Sequence, residues 1–209
     1  MLLARGKRPW ELLLMRRPRG ADFAPGAYVF PGGVVHGGDS EWGDDIAAAA
    51  VRELFEEVGI LLARGGRRFA QARDCVRVRE LVAGGSTFGE SLRTCALEPA
   101  LDRLVMLARW VTPATMSRRY DARFYLARLP ANQTVHVQPD EVIDWVWATP
   151  ERALRDPDIT LVYATQKVLE SVAGDEDVNG LFRRVRRLTS VPIVEPRMMR
   201  TASGWEILV

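Results

Sequence analysis

The 209-residue chain reads as a mixed α/β protein with a sheet packed between helices. Three observations predict this class. Strand-like runs stand on both sides of one amphipathic helical stretch, about Asp44 to Leu62. Beyond it, strand and helix patterns keep alternating to the end of the chain. Hydrophobic residues make up 47% of the sequence, enough for a sizeable core. We expect one domain over residues 1–209, with a helical insert at about 66–103 and C-terminal helices and a hairpin at about 150–209.

The elements follow in order. Residues 10–16, Trp-Glu-Leu-Leu-Leu-Met-Arg, are strand-like and pair with the opening Leu2–Arg5 run across a Gly6–Pro9 turn. A Gly/Pro-rich loop leads to Tyr28-Val29-Phe30-Pro31-Gly32-Gly33 and then to the amphipathic helix. Inside the insert a helix is expected over roughly 68–82. Gly84-Gly85 ends it, and Thr87 with Glu90 stands at capping-box spacing for another. Strands are expected at 104–111, 123–129 and 142–148. Pro150 opens a short helix, and a longer one spans 161–173, ending at Gly174. Two short strands, 192–199 and 204–209, turn around Ser203-Gly204.

Charge and cysteine content exclude several classes. The net charge is +2, from 29 basic and 27 acidic residues, so no global field favours nucleic acid or a membrane surface. Cys75 and Cys95 have no metal-ligand spacing and are expected as reduced thiols. His36 and His136 are the only histidines, too few for a histidine-rich zinc site. The opening Met1–Arg5 is too short for a signal peptide and no apolar run reaches membrane-spanning length. A cytoplasmic protein is the expectation, with a homodimer left open.

The chemistry lies in Val51-Arg52-Glu53-Leu54-Phe55-Glu56-Glu57-Val58-Gly59-Ile60. On a helical wheel with Arg52 at zero, Glu56 falls at about 40°, Glu53 at about 100° and Glu57 at about 140°. Ala50, Val51, Leu54, Phe55, Val58 and Leu61 fill the opposite face; Ile60 alone departs from it. Gly59 suits a left-handed helix end. Acids in the last turns do not favour the helix dipole. Glu53 and Glu57 are like charges at i,i+4, whereas Arg52 can offset Glu56. A divalent cation would relieve the remaining pair, and oxygen donors suit Mg²⁺. Taken alone, an acidic helix face is as consistent with a solvated surface. Phe30-Pro31-Gly32-Gly33 just upstream, a tight turn where backbone can approach a metal or phosphate, makes the combination more specific.

These residues resemble the signature of the Nudix family. In that signature a glycine is followed after five residues by Glu, then after seven by Arg-Glu, an apolar residue, any residue, Glu-Glu, any residue, Gly and an apolar residue. Arg52 through Ile60 matches the second half at every fixed position, and Gly33 matches the first glycine. The middle is longer: Asp39 follows Gly33 after five residues but is separated from Arg52 by twelve instead of seven, while counting back seven from Arg52 gives Asp44, so either aspartate can occupy the first acidic position. The expansion falls around Ser40-Glu41-Trp42-Gly43. It resembles a Nudix branch that includes peroxisomal coenzyme A diphosphatases and bacterial relatives. Leu12–Arg17, Pro25–Gly33, Ala108–Pro113, Arg119–Tyr125, Glu141-Val142 and Trp147 carry the likeness along the chain.

The resemblance implies a Nudix-type α/β/α sandwich with a mixed sheet and a loop–helix–loop metal site. Mg²⁺ or Mn²⁺ would be held by Glu53 and Glu57, with the Gly33 carbonyl; Glu56 is a third ligand or the partner of Arg52. Glu141 is the expected later carboxylate, as ligand or general base, and Glu56 is the other candidate for the base. Arg16, Arg17 and Arg119 are the expected grips on phosphate, and Trp42 a cover for a nucleobase or pantetheine, although packing of the expansion explains it equally. The implied reaction is hydrolysis of the diphosphate bond in a small nucleoside-diphosphate-linked substrate, coenzyme A or acyl-CoA first. The alternatives are an ADP-ribose or NADH pyrophosphatase, or a non-catalytic nucleotide sensor. The Arg183–Arg187 run is read as a solvated helix face.

Overall fold

The computed structural model describes residues 1–116, 119–201 and 204–208. Its first two strands, β1 (Leu2–Gly6) and β2 (Trp10–Arg16), form the expected antiparallel hairpin with Ala4 opposite Leu12. The short β3 (Tyr28–Val29) pairs with the far end of β2. The amphipathic stretch forms α1 (Asp45–Val58), with the Asp44 carboxylate accepting from the Ala47 N–H at its start. α1 ends earlier than the periodicity suggests. Gly59 takes φ 70°, and Ile60, Leu61 and Leu62 are buried in non-helical chain. The left-handed residue stops the helix, which explains why Ile60 fits no helical face.

The insert differs from a purely helical one. β4 (Ala63–Gly65) pairs with β5 (Arg68–Phe69) and with β6 (Glu98–Pro99), making a three-stranded sheet. The helix expected from 68 therefore starts later, as α2 (Ala72–Ala83), with the Asp74 carboxylate accepting from the Gln71 N–H at 2.8 Å. α3 (Phe88–Thr94) starts at the expected Thr87–Glu90 capping box.

The chain then returns to the main sheet through β7 (Val105–Val111), β8 (Asp121–Arg128) and β9 (Asp144–Ala148). α4 (Pro150–Arg155), α5 (Tyr163–Val172) and α6 (Val178–Arg186) follow. β10 (Ile193–Val194) joins the sheet beside β7, and β11 (Arg197–Thr201) pairs with β12 (Gly204–Leu208). The expected turn residue Ser203 lies outside the described residues.

The sheet order is β10-β7-β8-β1-β2-β3, with β9 also paired to β2. β1 runs parallel to β8 and β10 parallel to β7, while the other pairs are antiparallel, so the sheet is mixed. Both faces are covered. Leu3, Leu13, Met15 and Trp147 pack with Leu54, Phe55 and Val58 of α1 and with Val78, Phe88 and Leu92 of the insert. Leu2, Leu12, Leu14 and Leu126 pack with Val168, Leu169 and Val172 of α5 and with Leu181 and Phe182 of α6. Burial on both faces is why Leu12-Leu13-Leu14-Met15 reads as an unbroken apolar run. Each such leucine contributes on the order of 2 kcal/mol. The result is the α/β/α layering that the sequence predicts.

Register places the site. Because β1 and β2 are antiparallel, the start of β1 lies beside the end of β2, and Arg16 faces Asp144 at the start of β9. β8 is parallel to β1, with Leu2 opposite Leu126, so β8 begins beyond the first residue of β1. The segments after β2, between β7 and β8, and before β9 therefore collect at one end of the sheet, and the Met1 amino group, donating to the Pro31 carbonyl, ties the segment after β3 to the start of β1.

Candidate active site

Arg52 organises this end of the molecule. It is 6% exposed, and its guanidinium makes five hydrogen bonds. Nε and Nη2 donate to the two Asp39 oxygens, each at 3.1 Å, and Nη2 also donates to the Val34 carbonyl at 2.8 Å. Nη1 donates to Glu53 at 2.9 Å and to Glu56 at 2.6 Å. The planar fork has five N–H donors, and all are used; a lysine could supply neither the count nor the directions. Burial disfavours the charge, but Asp39, Glu53 and Glu56 outweigh it and hold the guanidinium above its ordinary pKa.

Of the two aspartates that the sequence left open, Asp39 is the one that pairs with Arg52. It is 4% exposed on a short 3₁₀ helix, Gly37–Trp42, and also accepts from the His36 N–H at 2.7 Å. Asp44 is the N-cap of α1 instead.

The three glutamates differ in surroundings. Glu53 lies against the turn: a Cβ built on Gly33 would sit 2.4 Å from its Oε1. Only glycine at 33 leaves room for the carboxylate in that position. The wheel assigned Arg52 to Glu56 alone, but Glu53 shares the same Nη1. Glu57 is the largest departure from the wheel, which set it on the polar face. It is 4% exposed, and its Oε2 accepts from the Gly32 N–H at 2.8 Å. The turn after β3 folds over that face and encloses it. Burial pushes the Glu57 carboxyl up to about 8, against the pull of the Gly32 N–H, with the Glu53 and Glu141 charges adding to the rise. Burial also raises the Glu56 carboxyl, against Arg52.

The segment 133–142 brings in Glu141. The His136 N–H donates to the Val58 carbonyl at 2.9 Å and the Gln138 N–H to the Glu57 carbonyl at 3.1 Å, so this chain docks on the C-terminal end of α1. Gly59 allows the approach, since a Cβ there would meet the His136 carbonyl at 2.8 Å. Gln133, buried, anchors the segment. Its side-chain oxygen accepts from the Leu61 N–H at 2.8 Å, and its amide donates to the carbonyls of Leu61 and Ala70 at 3.0 Å each. Glu141 itself is exposed and close enough to raise both Glu56 and Glu57 by its charge. Among the described residues it has no ion-pair partner.

The remaining sequence candidates share the same end of the sheet but stand outside this cluster. Arg16 donates to the Gly26 carbonyl at 3.0 Å, with its guanidinium carbon 5.7 Å from the Tyr28 ring centre, and Arg17 donates to the Phe23 carbonyl at 3.0 Å. Both latch the loop between β2 and β3. Arg119 donates to the Thr112 carbonyl at 3.2 Å and meets Glu195 at 3.4 Å. Trp42 is half-buried against the core that α1 shares with the insert, with Arg93 over its ring. Sequence reasoning missed the Gly32 N–H and Gln133. The Pro-Gly-Gly turn was a signal for the first; nothing in a single sequence points to the second. It also missed Phe23, an exposed ring paired with Tyr120 at 5.9 Å between centroids.

Two features bear on whether a divalent cation suits the set. Glu53, Glu56 and Glu57 lie within two helical turns, and the one guanidinium that pairs with Glu53 and Glu56 also pairs with Asp39, leaving excess negative charge in a partly buried site. Each uses one oxygen in the contacts above, leaving the other without a hydrogen-bond partner among the described residues. Among those residues no three acidic, cysteine or histidine side chains form a ready-made metal cage. Arg52 holds Glu53 and Glu56, and the Gly32 N–H holds Glu57. Carboxylate and carbonyl oxygens with excess charge are a donor set for Mg²⁺ or Mn²⁺, so the residues fit the group.

Fold and site together define a Nudix hydrolase. A family model described as the NUDT19 Nudix domain matches residues 41–163, more than half of the chain, and the chain belongs to the Nudix family. Among curated proteins it is 33% identical over 147 residues to a Caenorhabditis elegans protein provisionally named nudix hydrolase 7, covering 69% of this chain and 48% of that one. It is 25% identical over 207 residues to the Xenopus laevis acyl-coenzyme A diphosphatase NUDT19, covering 70% and 54%. The chain thus spans about half the length of these relatives. A NUDIX hydrolase structure from Alicyclobacillus acidocaldarius superposes with a TM-score of 0.70 at 25% identity, covering 81% of this chain and 86% of that one. Among the described residues no helix is long and apolar enough to cross a membrane.

Proposed function

We propose that this chain hydrolyses the diphosphate bond of a small nucleoside-diphosphate-linked substrate with the aid of Mg²⁺ or Mn²⁺, and that coenzyme A or an acyl-CoA is the first substrate to test. The observation that carries the reading is the Arg52-centred set: Asp39 anchors the guanidinium, the guanidinium holds Glu53 and Glu56, and Glu53 and Glu57 lie against Gly33 and Gly32. The name of the Xenopus relative supports the coenzyme A choice within that reaction class.

Glu53, Glu57 and Glu56, with the Gly33 carbonyl, would hold the cation. When bound it neutralises phosphate charge and lowers the pKa of a coordinated water. The chain's own groups do the rest. Arg52 holds one oxygen of Glu53 and one of Glu56 and so fixes their direction. Gly32 and Gly33 allow phosphate oxygens to approach backbone. Water adds to one phosphorus as the bridging P–O bond breaks, and the water's proton passes to a carboxylate. Glu141 suits that last role, being exposed, beside the acids and free of an ion pair among the described residues; Glu56 is the other candidate. Arg16, Arg17 and Arg119 stand at the same end of the sheet to meet the remaining phosphate. For coenzyme A the products would be 3′,5′-ADP and phosphopantetheine.

The test is product identification by mass after incubation with Mg²⁺ or Mn²⁺ and a panel of coenzyme A, acyl-CoA, ADP-ribose and NADH. Glu57→Gln is expected to reduce turnover by several orders of magnitude with the fold intact. Near-parent turnover by that variant would overturn the site assignment; cleavage of ADP-ribose or NADH alone would move the substrate. Binding without turnover would mark a sensor.

A further inference from the structure

We infer that the helical insert acts as a positioning device for the carboxylate helix, through a clasp of Arg93 on Glu41 and Trp42 that keeps Asp39 seated on Arg52. The inference rests on the metal-assisted reading of the same site.

The turn at Gly37–Trp42 presents two sides. Its inner side is the buried Asp39. Its outer side is Glu41 and Trp42, both of which meet α3. Glu41 forms an ion pair with Arg93, and the Arg93 guanidinium carbon lies 5.9 Å from the Trp42 ring centre. Gly89, one turn earlier on α3, brings that backbone close: a Cβ there would lie 3.8 Å from both the Glu41 carboxylate and the Trp42 Nε1. α3 in turn is seated on α1, with the Phe88 and Phe55 rings 5.6 Å apart. The expanded loop is thus held between the helix that carries the chemistry and the insert.

This arrangement divides the Arg52 guanidinium. One edge, Nε and Nη2, is occupied by Asp39 and the Val34 carbonyl, and only Nη1 is left for Glu53 and Glu56. If the loop lifts, the released edge has two acids within reach on its own helix. A bidentate guanidinium–carboxylate pair would then compete with a cation for the same oxygens. Trp42 and Arg93 are therefore positioning residues: they tune cation affinity through Asp39 without contacting the cation.

The experiment is Mn²⁺ binding to the full chain by titration calorimetry, with circular dichroism to confirm folding. Glu41→Arg and Arg93→Glu are each expected to weaken binding roughly fivefold, the upper end for a half-exposed ion pair that acts on the site only through Asp39. The double reversal is expected to restore it to within about twofold. Arg93→Gln is the milder variant should a reversal fail to fold, with weakened binding again expected. Asp39→Asn, made alongside, separates the outcomes. If it binds weakly while the Glu41 and Arg93 variants bind like the parent, the metal site stands and the clasp is overturned. Failure of the double reversal to restore binding overturns the clasp as well. A parent that binds no Mn²⁺ removes the metal reading itself, and the inference with it.

Discussion

Gly33 and Glu53 share one space: a methyl group at position 33 would lie 2.4 to 2.6 Å from the Glu53 carboxylate atoms. The obstruction is the far end of a flexible side chain, which can swing away. Gly33→Ala is therefore expected to change unfolding free energy by less than about 1 kcal/mol. Turnover is expected to drop by about 10–100-fold, because the displaced acid is a proposed metal ligand. Paired denaturation and kinetic measurements check this; equal losses in both would mean that Gly33 serves the fold alone.

Asp39 and Asp44 provide a contrast within five residues of loop. Asp39 neutralises a buried guanidinium, whereas Asp44 caps a helix. Asp44→Ala is expected to cost about 1 kcal/mol with turnover nearly unchanged. Asp39→Ala leaves Arg52 with an uncompensated edge, at a cost of about 3–5 kcal/mol, and misaligns Glu53 and Glu56. Chemical denaturation with an activity assay at subdenaturing temperature distinguishes them. Interchangeable phenotypes would count against Asp39 as the anchor.

Burial carries the Glu57 carboxyl from 4.5 up to about 8. Between those values the folded protein keeps a proton that the unfolded chain has lost, so this group's contribution to stability falls as pH rises through the window. Glutamine has no proton to lose. In metal-free buffer the stability of Glu57→Gln relative to the parent is expected to rise from near zero around pH 5 to on the order of 1–3 kcal/mol near pH 8. Taking the difference between the two proteins cancels the other titrating groups. A difference that stays flat across that range would show that Glu57 is ionised without penalty.

Glu141 is the proposed proton acceptor on a loop whose His136 and Gln138 N–H groups donate to the last carbonyls of α1. Glu141→Gln is expected to lower kcat by about 10²–10⁴-fold while leaving KM within a few fold. Steady-state kinetics decide it, and an unchanged kcat would transfer the role to Glu56.

Gln133 satisfies one buried N–H and two buried carbonyls. Gln133→Leu removes all three bonds and is expected to cost about 2–4 kcal/mol. Looser docking of the Glu141 loop should also follow, seen as faster amide exchange at His136 and Gln138. Unaltered exchange at those amides would separate the glutamine from the loop.

Local physics alone determined the part of this protein that names its family. Arg52, Glu53, Glu56 and Glu57 share one helix, so their spacing and the apolar stripe opposite them follow from a fixed rotation per residue. The Thr87–Glu90 cap and the Leu2–Arg16 hairpin are equally short-range. Tertiary structure decided what the chain's order cannot express: that Asp39 and not Asp44 holds Arg52, that Glu57 is enclosed by Gly32, that the expansion grips α3. Glu41 and Arg93 are 52 residues apart, and Gln133 and Leu61 are 72 apart. Such pairs form only when the sheet brings distant loops to one end, and a helical wheel, which knows no neighbour beyond its own turn, leaves a buried carboxylate on the solvent side.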